Sequence, residues 1–102
     1  MKDDNIQIPN KEELIRVMRK NHIIFAAVFG SRAKGTARPD SDYDFLVEFD
    51  PMSEIGLFEF ARTKDKIQSI VGEEVDLVTV KGISPYIKDN VINTMKVLYG
   101  RK

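Results

Sequence analysis

Apolar residues are spaced in two ways along the first third of the chain, and each spacing predicts a different element. Residues 11–20 carry apolar side chains at helical spacing behind a polar cap at Asn10. Residues 23–29 form a short, wholly apolar run that ends at Gly30. Such a run is typical of a strand buried on both faces. We therefore expect a first helix at 11–20 and a first strand at 23–29.

A second strand and a long helix are predicted in the middle of the chain. Residues 42–49 form a largely apolar run that ends at Asp50-Pro51, which predicts a strand. Ser53 is a capping residue, and we expect it to begin a helix that ends near Val71. The side chains expected on the inner face of that helix are Leu57, Phe60, Ala61, Ile67 and Val71.

The rest of the chain predicts a strand, a helix and a short edge strand. Residues 74–80 are mostly β-branched, Ser84-Pro85 is typical of a helix start, and residues 95–99 add the edge strand. The order α-β-(turn)-β-α-β-α-(β) predicts an α/β (α+β) fold, a small mixed sheet of three to four strands flanked by helices. A loop between the first two strands suits an antiparallel pair, and a helix before the third favours a parallel crossover.

Length and composition exclude several classes of protein. The 102 residues suit one domain, 1–102, and the net charge of zero provides no general attraction to extended nucleic acid or to an anionic membrane. The chain has no cysteine, and residues 23–29 are too few to span a bilayer. Residues 1–5 are acidic and do not resemble a basic leader. We therefore expect a cytoplasmic protein without a membrane segment.

Three acidic residues stand out in this pattern. Asp42 and Asp44 are two residues apart at the head of a predicted strand, so their side chains are expected on one face. Paired carboxylates repel each other unless a cation or a proton joins them, and oxygen ligands suit Mg²⁺ or Mn²⁺. Asp76 interrupts an apolar strand, where a lone carboxylate is costly to bury. We expect Asp76 beside the pair, as a metal ligand or as a proton acceptor.

A Gly-Ser step and a local group of basic residues point to phosphate chemistry. Gly30-Ser31 ends the first predicted strand, and a helical turn after it would direct backbone N–H groups toward an anion. Arg32, Lys34 and Arg38 follow within a few residues. They are candidates for contacting a triphosphate, although each could equally be a surface charge. Together with the carboxylates, they favour phosphoryl or nucleotidyl transfer.

The spacing of these motifs resembles that of a known superfamily. Gly30-Ser31, ten further residues, and then Asp42-Tyr43-Asp44 resemble the G-S-x10-D-x-D signature of the DNA polymerase β-like nucleotidyltransferases. The segment from Gly30 to Asp42 and the later run around Asp76 are similar to the minimal nucleotidyltransferase (MNT) branch. The resemblance extends from residue 24 to residue 99.

This resemblance implies a fold, an activity and roles for the site residues. It implies a mixed sheet flanked by helices, and an enzyme that transfers a nucleoside monophosphate from an NTP such as ATP to a hydroxyl. The cofactor implied is Mg²⁺, for which Mn²⁺ can substitute. On this pattern Gly30 and Ser31 hold the triphosphate, Asp42 and Asp44 bind metal, and Asp76 is the third carboxylate.

The resemblance also implies a partner. Minimal members are often encoded beside a small helical HEPN protein and act as its antitoxin, some by adenylylating a tyrosine of that protein. The acceptor-binding domain of larger relatives has no counterpart here, which favours a partner protein as the acceptor. Two alternatives stay open: a non-catalytic module that binds nucleotide and masks its partner, and transfer to a short RNA end or a small molecule. A homo-oligomer and a hetero-oligomer are both compatible with the sequence.

Overall fold

The computed structural model describes residues 7–39 and 41–100. The acidic residues 1–5, which entered the prediction of location, lie outside the described residues, as does Asp40 of the predicted loop. The elements follow the predicted order, including the short edge strand. They are α1 (Lys11–Lys20), β1 (Ile23–Phe29), α2 (Ser31–Lys34), β2 (Tyr43–Phe49), α3 (Leu57–Val71), β3 (Val75–Thr79), α4 (Pro85–Thr94) and β4 (Lys96–Tyr99).

The four strands form one mixed sheet in the order β3-β2-β1-β4. β1 pairs antiparallel with β2 and with β4, whereas β2 and β3 are parallel. Both pairings predicted from the lengths of the connections are therefore confirmed. α3 serves as the crossover between the two parallel strands, as a connection of this kind requires.

The two faces of the sheet are covered by different helices. One face packs against α1 and α3, and its buried cluster includes Leu14, Met18, Phe45 and Ile67. The other face packs against α4, of which only Val91 is buried. Side chains alternate along β2, so Tyr43 and Phe45 belong to the α1/α3 face, whereas Asp44 and Leu46 belong to the α4 face. Asp44 is consequently on the face that α4 covers.

The predicted start and inner face of α3 were partly wrong. Ser53 does not begin the helix; Gly56 is the residue before its first turn, and the Gly56 N–H donates to Glu59 Oε1 at 3.0 Å. Leu57 is 88% exposed, and Ala61 is exposed as well. The buried positions of α3 are Thr63, Ile67 and Val71. Thr63 was not predicted because it is polar; its hydroxyl donates to the carbonyl of Glu59 at 2.8 Å.

Smaller differences concern the ends of other elements. Asn10 precedes α1 as predicted, but its side chain does not cap the helix and donates to the carbonyl of Ile70 at 2.9 Å. That hydrogen bond ties α1 to α3. β2 begins at Tyr43, which leaves Asp42 just outside the strand, and β3 is shorter than residues 74–80. Across the described ranges, no helix has the length and apolar character needed to cross a membrane.

Candidate active site

Asp44 lies at the centre of the sheet edge where the predicted site residues meet. In the parallel pair, Asp44 is directly opposite Asp76, and in the antiparallel pair it is opposite Phe29, the last residue of β1. Partners in register on adjacent strands have side chains on the same face. The structure therefore brings Asp76 beside Asp44, as expected from the sequence. Asp42 is exposed and immediately precedes β2.

The three carboxylates make an unfavourable electrostatic cluster by themselves. Burial raises the pKa of Asp44 above its ordinary value, and the negative charges of Asp76 and then Asp42 raise it further. Asp44 is half-buried, whereas Asp42 and Asp76 are exposed. Like charges brought together in this way are relieved by a proton or by a bound cation. This arrangement is typical of a site whose charge is completed by a ligand.

Gly30 is in direct contact with this cluster. Its φ of 75° is in the region that favours glycine, and a Cβ at this position would collide with the carboxylate of Asp44. The N–H groups of Ala33 and Lys34 both donate to the carbonyl of Gly30, at 3.0 and 3.1 Å, and so close the turn that begins α2. The turn that begins at Gly30 therefore lies directly against the carboxylate of Asp44.

The three basic residues predicted to contact phosphate are directed differently. Lys34 and Arg38 have exposed side chains. Arg32 is half-buried, and its Nη2 donates to the carbonyl of Ser41 at 2.7 Å and to that of Pro39 at 3.3 Å. The structure therefore places Lys34 at the surface of the turn, and it places the Arg32 guanidinium against the loop that leads into β2.

Ser41 is the residue near the site that sequence reasoning missed. Its hydroxyl accepts a hydrogen bond from the N–H of Arg38 at 2.8 Å, and its own N–H donates to the carbonyl of Arg38 at 3.0 Å. Serine commonly closes turns in this way, so its place directly before Asp42 was an available signal. The side chain of Tyr43, between the two aspartates, is buried in the cluster of the α1/α3 face, on the opposite side of the sheet from Asp44.

The carboxylates suit a magnesium ion whose remaining ligands are phosphate oxygens and waters. Among the residues that the structure describes, no three side chains of the Asp, Glu, His and Cys types converge closely enough to hold a metal by themselves. Mg²⁺ usually takes one or two carboxylates together with substrate phosphate oxygens and waters. This pattern matches the site, where Asp44 is paired with Asp76 and Asp42 is close to both. A site made of protein ligands alone would need more side chains than these.

Comparisons with known proteins agree with this geometry. The nucleotidyltransferase domain family matches residues 11–98. A candidate protein adenylyltransferase of Methanocaldococcus jannaschii is 34% identical over 83 residues, which cover 81% of this chain and 87% of the relative.

Two solved structures are also similar. One, of a candidate minimal nucleotidyltransferase, superposes with a TM-score of 0.72 at 32% identity, over 83% of this chain and 85% of the other. A toxin–antitoxin crystal structure with AMP-PNP gives a TM-score of 0.76 at 25% identity, over 91% and 75%. The extent of these matches, together with the signature at the site, shows that the chain belongs to the nucleotidyltransferase domain family and is a nucleotidyltransferase of the minimal type.

Proposed function

We propose that this enzyme transfers AMP from ATP, in a Mg²⁺-dependent reaction, to a hydroxyl of a HEPN-type helical protein and so acts as the antitoxin of that protein. The observation that carries the proposal is the position of Asp44, between Gly30 on one side and Asp76 on the other. Support also comes from the similarity to a relative named as an adenylyltransferase and to a toxin–antitoxin structure with an ATP analogue.

We assign the triphosphate to the turn at Gly30 and Ser31, with Lys34 as its charged contact. The first turn of a helix has backbone N–H groups without partners inside the helix, and these N–H groups favour an anion. Lys34 is exposed on the same turn, where a flexible ammonium can reach phosphate oxygens. Arg32 is omitted from this set because carbonyl oxygens of the preceding loop already engage its guanidinium.

We assign Asp42, Asp44 and Asp76 to the divalent ion and the proton transfer. An ion bound there would draw charge from the phosphate oxygens during the reaction. The acceptor oxygen bonds to the α-phosphorus while the bond from that phosphorus to the bridging oxygen breaks, and pyrophosphate leaves. Asp76 takes the hydroxyl proton in this scheme, since it is exposed beside Asp44 and an acceptor can approach it.

Exposed apolar side chains support a protein partner. Met52, Leu57 and Phe58 are 88%, 88% and 82% exposed, respectively, in the segment that follows the end of β2. Large apolar side chains exposed so close together in the sequence are a feature that a protein partner would cover. The carboxylates lie at the opposite end of β2, so a partner bound through this segment would leave the site open. The cytoplasmic location stays a prediction from the sequence.

The test is transfer of label from α-labelled ATP to the HEPN-type protein. We expect the wild-type enzyme to label that protein in the presence of Mg²⁺, and Asp42→Ala/Asp44→Ala to lose the activity. A reduction of at least about 10³-fold is expected, because the charged groups that organise a phosphoryl transfer act together. Glu12→Ala/Asp65→Ala is the matched control, since it removes two exposed carboxylates from α1 and α3, the helices on the face of the sheet opposite to Asp44.

Two results would contradict the proposal. Labelling that is undiminished in Asp42→Ala/Asp44→Ala would show that the carboxylates are not the catalytic groups. Neutralisation of the partner by this variant, at the same level as by the wild-type protein and without any labelling, would instead favour masking over catalysis.

A further inference from the structure

Arg32 is bound to the residues on both sides of Asp42, and we propose that it is a positioning residue for this aspartate. In this role it acts on the metal-binding carboxylates through the backbone and does not touch the triphosphate. The identity of the ligand, a divalent metal at Asp42 and its neighbours, is taken from the proposed function. That Arg32 holds the segment around Asp42 in place follows from the contacts of Arg32 alone.

The contacts of Arg32 enclose Asp42 from both directions along the chain. Its Nη2 donates at 2.7 Å to the carbonyl of Ser41, the residue immediately before Asp42. The carbon at the centre of its guanidinium lies 4.1 Å from the ring centroid of Tyr43, the residue immediately after Asp42. A second hydrogen bond from Nη2, to Pro39 at 3.3 Å, attaches the loop two residues further back. One side chain thus fixes both neighbours of a carboxylate that lies outside the strand.

The ring of Tyr43 is packed into the core. Its side chain is 4% exposed within the cluster of the α1/α3 face, and it stacks on Phe45 with ring centroids 6.1 Å apart. The N–H of Tyr43 donates to the carbonyl of Glu74 at 3.0 Å, next to the start of β3. Arg32 therefore anchors the loop to a fixed part of the core, and the segment that carries Asp42 inherits that fixed position.

The same contacts separate Arg32 from a nucleotide. The guanidinium stacks on a ring of the α1/α3 face, whereas Asp44 and Asp76 are on the face that α4 covers. The Nε atom of Arg32 is buried, with no hydrogen-bond partner among the described residues. The guanidinium thus already has partners of its own, the Tyr43 ring and two loop carbonyls, away from the face that carries Asp44 and Asp76. Outer contacts that hold a ligand residue in place are a recognised way to tune metal affinity.

The test compares two Arg–Tyr contacts of the same kind in one protein. Arg19 lies 4.3 Å from the ring centroid of Tyr99, so Arg19→Met removes a similar contact that involves neither the loop nor the carboxylates. Arg32→Met removes the contact next to Asp42. Arg32→Lys keeps the charge but loses the planar fork, and it replaces the Met variant if that variant is too unstable to purify. Two quantities are measured on each protein without nucleotide: amide hydrogen exchange at Ser41 and Tyr43, and Mn²⁺ affinity from the free-ion electron paramagnetic resonance signal.

We expect Arg32→Met to speed amide exchange at Ser41 and Tyr43 and to weaken Mn²⁺ binding about tenfold or more, the range found when outer contacts of a metal site are removed. Arg19→Met should change neither quantity. Unchanged exchange and Mn²⁺ affinity in Arg32→Met, with ATP affinity alone reduced, would overturn the inference and make Arg32 a triphosphate ligand. A wild-type protein that binds no Mn²⁺ while Arg32→Met still exchanges faster would support the positioning role and count against the proposed function.

Discussion

At the scale of the single residue, the carboxylate of Asp44 lowers the stability of the fold, although the proposed chemistry requires it. Burial and the charges of Asp76 and Asp42 raise its pKa, so the folded protein tolerates the ionised form less well than the unfolded chain does. A folded-state pKa that is raised means that stability falls as the pH rises from the ordinary range of an aspartate through the raised value. The raised pKa of Asp44 therefore makes the folded protein less stable at neutral pH than it would be with an unperturbed carboxyl group.

Asp44→Asn should consequently stabilise the protein at neutral pH while removing its activity. The expected gain is on the order of 0.5 kcal/mol, because solvent screens repulsion at a half-exposed group. Urea unfolding at pH 7 and at pH 3 measures it, and the difference between the two proteins should disappear at pH 3, where the carboxyl is neutral. A variant that is less stable than the wild-type protein at pH 7 would contradict this account.

Gly30 is the second residue at which chemistry limits the sequence. Gly30→Ala should lower the free energy of unfolding by about 1 to 3 kcal/mol, because it combines a positive φ with a collision against Asp44. Gly35→Ala is the matched control: its φ is 79°, but an added Cβ would meet nothing within 4 Å. Denaturant unfolding of both variants isolates the effect of the close approach. Equal losses at the two positions would show that backbone conformation alone explains the glycine at Gly30.

At the scale of the element, the sequence predicted those features that depend on local patterns. The apolar run at 23–29 and the Ser84-Pro85 step were sufficient for β1 and α4, since a short apolar run and the geometry of proline are properties of neighbouring residues. The start of α3 was wrong because Ser53 and the Gly56-Glu59 pair are competing cap signals, and only the folded chain shows which one is used.

Features that depend on distant contacts were harder to predict. Thr63 is buried although it is polar, because its hydroxyl is satisfied within α3 and because the phase of the helix is set by packing on the sheet. The sequence identified Arg32 as a cation near the site. It did not show which way the guanidinium would turn, since that depends on the path of the loop back to Ser41. The pairing of Asp76 with Asp44 was predictable from the crossover rule and from the family resemblance. The cost of burying a lone carboxylate did not apply, because Asp76 is exposed on β3, the outermost strand of the sheet on that side.

Tyr99 joins the edge strand β4 to the start of β1 through its hydroxyl group. The hydroxyl of Tyr99 donates to the carbonyl of Ile23 at 2.5 Å, and burial raises the pKa of Tyr99 to about 12, while the charge of Arg19 lowers it in part. The neutral phenol is thus the favoured form in the folded state. Its contribution to stability should be complete below pH 10, the ordinary pKa, and should disappear as the pH rises through about 12.

Tyr99→Phe tests this contribution without removing the ring that Arg19 contacts. The variant should be less stable by about 1 kcal/mol near neutral pH, the usual value of one hydrogen bond. Chemical denaturation at several pH values should show the difference between wild type and variant shrinking above pH 10, where other titrating groups affect both proteins alike. A difference that stays constant up to pH 12 would mean that the hydroxyl does not titrate with the fold.

At the scale of the whole molecule, the larger buried cluster and the candidate site residues Asp44 and Asp76 lie on opposite faces of the sheet. The face packed by α1 and α3 holds the larger buried cluster, and the ring of Tyr43 joins that cluster to the loop before Asp42. The opposite face carries Asp44 and Asp76 at its edge, beside the turn at Gly30. Asp42 and Asp76 are exposed at this edge, so the carboxylates are open to a ligand that approaches from solvent. A bound cation would turn the repulsion among the carboxylates into attraction between each carboxylate and the cation.

This dependence on ligand predicts a change in global stability. ATP with Mn²⁺ at ten times its dissociation constant should add about 1.4 kcal/mol to the free energy of unfolding. For a domain of this size that corresponds to a rise in melting temperature of about 6 to 11 °C. The same concentration of ATP without metal should give a smaller rise in melting temperature, because the charges of Asp42 and Asp44 would then repel the triphosphate and weaken its binding. Asp42→Asn/Asp44→Asn should bind metal-free ATP at least as well as the wild-type protein does, but should gain little from added Mn²⁺. Thermal melts of both proteins with each ligand separate these effects. A Mn²⁺-dependent rise that is equal in the two proteins would place the metal elsewhere, because the two aspartates could not then be its ligands.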